Sequence, residues 1–159
     1  MDATSTEWNL GALPDGHGSL EELARDLSAL GGDAPGAVSR WMTRPAVLRR
    51  VGLALADEVP ATANRIITGG EGAPTLGAAV SLITGLPFAV IDADQIVFGE
   101  LHHGEDASLF AVTSTELEAL RSTVERSTTG RLTTRCVFGA SREAVFFTDD
   151  QGVVTWTER

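Results

Sequence analysis

Apolar positions along the chain follow two rhythms. Leu20, Leu23, Leu27 and Leu30 recur at helical spacing, which predicts a helix. Ser19 and Glu22 make a capping box at its start, and Gly31 and Gly32 end it. A second helical stretch begins near Pro35 and is interrupted by Pro45; Val47, Leu48, Val51, Leu55 and Val59 then form an apolar stripe that Pro60 stops. Beyond this the rhythm changes. Residues 64–68 (NRIIT), 88–91 (FAVI), 108–112 (SLFAV) and 131–138 read as strands, and 95–101 (QIVFGEL) as a further extended piece. The uninterrupted run at 108–112 is the pattern of a strand buried on both faces. Residues 74–84 form a helix of small residues. Thr113 with Glu116 makes another capping box, opening a helix with Leu117, Leu120 and Val124 on one side and Gly130 at its close. Residues 143–148 and 153–157 flank Asp149-Asp150-Gln151-Gly152, a hairpin signal.

Strands alternating with helices predict an α/β fold: three layers, a mainly parallel twisted sheet and helices on both faces. Residues 1–18, polar and glycine-rich, read as an N-terminal arm, and 19–159 as a single domain. In such sheets ligands bind beyond the carboxyl ends of the strands. The candidate ends are the glycine loop Gly69, Gly70, Glu71, Gly72 and Ala73, and the helix start Thr113, Ser114 and Thr115. The two are predicted to be neighbours. A strand, a glycine loop and a helix N-terminus can cradle a phosphate with backbone N–H groups. The same glycines also serve plain packing where helix and strand approach closely, and Thr113 also serves as an ordinary N-cap.

Composition narrows the chemistry. The chain has 159 residues and a net charge of −10, and all its basic residues are arginine. Such acidity disfavours nucleic acid and anionic membranes as partners. Without lysine there is no lysine Schiff base and no Walker-type phosphate loop. Cys136, the single cysteine, lies in a strand-like run and reads as a buried thiol, in keeping with a cytoplasmic location. The N-terminus MDATSTEW has neither the basic nor the apolar region of a secretory signal. The uncharged residues 72–91 have the length of a membrane span but carry three glycines and two prolines, which argue against one continuous helix. Adjacent histidines on an extended segment point to opposite faces, so His102 and His103 make no chelate by themselves. Beside Glu100, Glu105 and Asp106 they read as a solvated turn, with a general-base role as the functional alternative. Asp149 and Asp150 read as turn residues. Asp92 and Asp94 could share a face toward a cation, but one such pair defines no metal site.

The order of pieces resembles the type I phosphoribosyltransferases, nearest the orotate phosphoribosyltransferase branch, over roughly 38–139. RIITGGEGAPTLGAAVSLITGLPFAVID resembles that family's strand, pyrophosphate loop, helix and "GLPF" strand entry. QIVFGELHHGEDASLF resembles the flap hairpin running into the central strand, which puts Glu100, His102 and His103 in the flap. The resemblance implies phosphoribosyl pyrophosphate (PRPP) with magnesium, transfer of a base to the ribose carbon, and a homodimer. The family's acidic pair and Thr-Thr-Gly type loop should follow residue 112. Here the chain reads Thr113-Ser114-Thr115-Glu116-Leu117, with hydroxyl residues at both acidic positions. A Ser-Thr-Thr-Gly occurs at 127–130, at the end of a helix. The basic residues expected after the "GLPF" strand are replaced by Asp92, Ala93 and Asp94. The expectation is therefore a divergent member whose PRPP-dependent transfer is weak or lost, with magnesium entering only if activity is retained. Phosphate or nucleotide binding could persist at the two loops. The alternative is a non-catalytic, dimeric interaction or regulatory module on the same fold.

Overall fold

In the computed structural model of the chain, residues 18–128 and 130–156 are described. The arm predicted for 1–18 lies, except for Gly18, outside the described residues. Among the described residues three helices come first. α1 (Leu20–Ala29) is capped by Ser19, whose hydroxyl accepts from the Glu22 N–H at 3.0 Å. α2 (Ala37–Met42) and α3 (Pro45–Ala56) divide the predicted second helix, with Pro45 in the first turn of α3, where its missing N–H costs nothing. β1 (Arg65–Gly69), α4 (Ala73–Thr84) and β2 (Phe88–Asp92) follow, so residues 72–91 split into a helix and a strand. Among the described residues no helix is long and apolar enough to cross a membrane. The rest are β3 (Gln95–Phe98), β4 (Ala107–Thr113), α5 (Ser114–Ser127), β5 (Leu132–Gly139), β6 (Ala144–Thr148) and β7 (Val154–Trp156).

The sheet has seven strands in the order β3-β2-β1-β4-β5-β6-β7. β2, β1, β4, β5 and β6 pair parallel in succession, and β3 and β7 close the edges antiparallel. β4 is the central strand and runs parallel to β1, as the family resemblance implies. Strand alternation splits the core. Ile66, Phe110, Val112, Phe138 and Phe146 point to the face covered by α1–α4. Ile67, Leu109, Ala111 and Cys136 point to the face covered by α5 through Leu117, Leu120 and Val124. Cys136 is fully buried, as expected of it.

Most element ends shift by a residue or two from the predicted ones. The extended piece at 95–101 differs more. β3 stops at Phe98 and pairs antiparallel with β2 along the edge of the main sheet. An antiparallel strand brings the chain back to the amino-terminal end of its parallel neighbours. Residues 99–106 therefore lead into the start of β4 and do not reach over the carboxyl ends. Another departure is the link 140–143, short for two parallel strands. It works because β6 starts alongside Cys136, whose N–H donates to the Glu143 carbonyl at 2.9 Å, three residues before β5 ends.

Trp41 anchors the helical layer. It is fully buried, its Nε1–H donates to the Gly32 carbonyl at 3.3 Å, and its ring meets Phe138 edge-on at 6.1 Å. Trp41→Ala is expected to destabilise the fold by roughly 3–5 kcal/mol, read as a lower urea midpoint; a loss below about 1 kcal/mol would contradict this packing.

Candidate functional site

The glycine loop is built from steric exclusions. Gly69 ends β1 where a Cβ would stand 2.4 Å from Leu120 of α5. Gly70 (φ +84°) and Gly72 (φ +68°) are left-handed, a conformation that favours glycine. Gly72 is the N-cap of α4 and offers no side chain to the free N–H groups. The loop is stapled from below by Thr68, whose hydroxyl donates to the Ala73 carbonyl at 2.7 Å.

The second element begins at Thr113. Its hydroxyl accepts from the Glu116 N–H at 3.3 Å and donates to Glu116 Oε1 at 3.2 Å, so the predicted N-cap forms while the Glu116 carboxylate does not return to the Thr113 N–H. Because β1 and β4 are adjacent and parallel, the two loops are neighbours, as predicted. What joins them is Glu116: its Oε2 accepts from the Glu71 N–H at 2.5 Å. A Cβ on Gly70 would lie 2.2 Å from that same oxygen. On its other side the loop is closed by Met42, whose Sδ would stand 2.2 Å from a Cβ on Gly72. The loop thus holds an anion already, one supplied by the chain.

Ser114 and Thr115 serve a different space. They line an open groove of about 570 Å³ with Glu118, Ala119, Ser141 and Glu143, none of them in the glycine loop. Beside this groove is an ion pair that sequence reasoning missed. Arg121 Nη2 donates to both Glu143 oxygens, at 2.8 and 2.9 Å. Arg121 Nη1 donates to the Thr134 hydroxyl at 3.2 Å, and that hydroxyl donates to Glu143. Arg121 Nε reaches Glu118 at 3.3 Å. Burial alone would raise the Glu143 carboxyl, but the hydrogen bonds from Thr134 and Arg121 outweigh it and hold the group below its ordinary value. The bond to Glu143 likewise raises Arg121.

Glu100 and His102 gather elsewhere. His102 Nε2 lies 3.0 Å from Glu100 and Nδ1 lies 2.8 Å from Glu105. Arg65, at the start of β1, donates to both Glu105 oxygens at 3.1 and 3.2 Å. This cluster sits at the amino-terminal ends of β1 and β4, so Glu100 and His102 do not join the glycine loop. His103 is exposed next to them. The hydrogen bond from His102 lowers the Glu100 carboxyl. Among the described residues no group of three or more His, Cys, Asp or Glu is placed to hold a metal ion.

No family model matches the sequence, and no curated protein matches it. Solved structures do match the fold. Orotate phosphoribosyltransferase of Mycobacterium tuberculosis superposes with a TM-score of 0.59 at 16% identity, covering 74% of this chain and 81% of that one. A phosphoribosyltransferase of Corynebacterium diphtheriae gives 0.58 at 17%, covering 79% and 84%. UMP synthase of Leishmania donovani gives 0.55 at 18%, covering 74% of this chain, which spans only 30% of the synthase. The architecture is that of the type I phosphoribosyltransferases, and at these identities the likeness is one of fold.

The Glu143 cluster has a pH signature. A carboxyl whose pKa is lower folded than unfolded contributes stability above its unfolded value and loses it as pH falls through the folded one. Glu143→Gln is expected to cost on the order of 1 kcal/mol at pH 7, given its partial exposure, and to lose less further stability on acidification than the wild type. Urea unfolding at pH 7 and pH 4 checks this; equal losses in the two proteins would contradict it.

Proposed function

We propose that this protein is a divergent relative of the orotate branch of the phosphoribosyltransferases in which ordinary PRPP-dependent transfer is lost. The single observation that carries the reading is the Glu116 carboxylate on the Glu71 N–H. Transfer requires a diphosphate to be neutralised and a ribose to be fixed. Here the loop amide that would face a phosphate is taken by a carboxylate. A phosphate charge about 4 Å from that carboxylate is repelled by roughly 4 kcal/mol at an effective dielectric near 20. At the tip of β4, Thr113, Ser114 and Thr115 stand in place of an acidic pair, and helix α5 starts at once, leaving no loop to wrap a 5′-phosphate. This donor set does not suit magnesium-bound PRPP, and the chain has no lysine to offset the charge.

The role left to the fold is binding, in the cytoplasm, of a phosphorylated small molecule or nucleotide. Ligands on solved relatives support that class: the Mycobacterium tuberculosis structure is a complex with inorganic phosphate, and an adenine phosphoribosyl transferase of Trypanosoma brucei is a complex with AMP, pyrophosphate and ribose-5-phosphate. A second reading, a homodimeric interaction module, draws on the outer edge of the sheet. Ile96, Val97 and Phe98 of β3 are 43%, 57% and 60% exposed and uncharged, on a strand that lies at the sheet edge among the described residues.

Calorimetric titration of PRPP with magnesium is expected to give no binding at micromolar concentrations and no pyrophosphate on adding orotate or a purine base. Micromolar binding with pyrophosphate release overturns the reading. Sedimentation equilibrium tests the dimer: charging β3 with Val97→Glu is expected to shift a dimer to monomer, and a monomeric wild type at about 100 μM removes that alternative.

A further inference from the structure

We propose that Glu116 is a latch on the glycine loop: its carboxylate is the loop's resident anion, and an external phosphate group reaches the loop amides only when that side chain swings out. This rests on the reading of a closed phosphoribosyl site and adds what closes it.

In an ordinary capping box the third-position carboxylate turns back to the N–H of the N-cap residue. Glu116 instead spans two loops. Oε1 takes the Thr113 hydroxyl at 3.2 Å, while Oε2 takes the Glu71 N–H at 2.5 Å, 45 residues away in sequence. The loop is shaped for it. A side chain on Gly70 would stand 2.2 Å from Oε2 and 2.6 Å from the carboxyl carbon, so only glycine leaves the carboxylate its place. Met42 fills the space beside Gly72 in the same way, so a side chain is excluded there too.

The latch can open without unfolding the helix. The cap on α5 is the bond from the Glu116 backbone N–H to the Thr113 hydroxyl, which does not involve the Glu116 carboxylate. Swinging the side chain out gives up two charge-assisted hydrogen bonds, from the Thr113 hydroxyl and the Glu71 N–H, and releases that N–H to a competitor with a stronger charge. Phosphate groups fit that description, and their negative charge is welcome near the start of α4. Carboxylate and phosphate therefore compete for one amide, and their exchange is the device.

The test uses the full chain, Glu116→Gln and Glu116→Ala, with inorganic phosphate as the probe. Glu125→Gln, on an exposed face of the same helix, controls for net charge. Phosphate affinity is followed by calorimetry at constant ionic strength, and a thermal melt reports folding. Both Glu116 variants are expected to bind phosphate at least about tenfold more tightly than wild type, the equivalent of losing one charge-assisted contact. Glu125→Gln should match wild type. Folded Glu116→Gln that binds no more tightly than wild type overturns the latch, as does an equal gain in Glu125→Gln. Transfer from PRPP by the wild type would overturn the parent reading and leave this comparison standing.

Discussion

Parallel pairing of β1 with β4, Arg65 opposite Ala107 through Thr68 opposite Phe110, sets the geometry on which the rest depends. With these strands adjacent and in this register, both chains turn at the same end of the sheet. α5 then has to lie against the end of β1, and Gly69 permits it, because any Cβ there would collide with Leu120. Seated so closely, α5 carries Glu116 over Gly70, where the missing side chain leaves room for a carboxylate. Each glycine of the loop thus answers a neighbour: Gly69 a leucine, Gly70 a carboxylate, Gly72 a methionine.

The consequence for function is electrostatic. The chain has a net charge of −10, with twelve arginines and no lysine. Arg121 of α5 is bound to Glu143, Glu118 and Thr134. Asp92 and Asp94 add negative charge at the β2–β3 turn. The fold is that of the type I phosphoribosyltransferases, and in this chain the turn after β2 carries acidic side chains.

The parts of this arrangement that are local in sequence were legible there. The helix starts at Ser19 and Thr113 show in the sequence, and in both the hydroxyl caps the third residue's N–H. The continuous apolar run before Thr113 marks a strand buried on both faces, and it is the central one. Gly70 and Gly72 announce a loop because glycine readily takes a left-handed backbone. What was illegible depends on contacts between distant segments. Glu116 shows in sequence as a helix cap; that its second oxygen leaves its own helix for Glu71 follows only once β1 and β4 are side by side. Arg121 and Glu118 are visible as an i,i+3 pair, but the partner Glu143 is delivered by the short link 140–143, for which the sequence carries no signal. The family resemblance puts Glu100 and His102 in the flap, and the direction of β3 is not carried by the sequence. Its antiparallel course sends them to the far end of the sheet, where Glu105 and Arg65 receive them.

Amide hydrogen exchange at Glu71 tests the central claim most directly, since that residue lies in an exposed loop yet its N–H is bonded to a carboxylate from another element. The account predicts that this amide is protected in the wild type and exchanges freely in Glu116→Ala, while the amides of β1 keep their protection in both. Free exchange in the wild type, or protection that survives removal of Glu116, would contradict it.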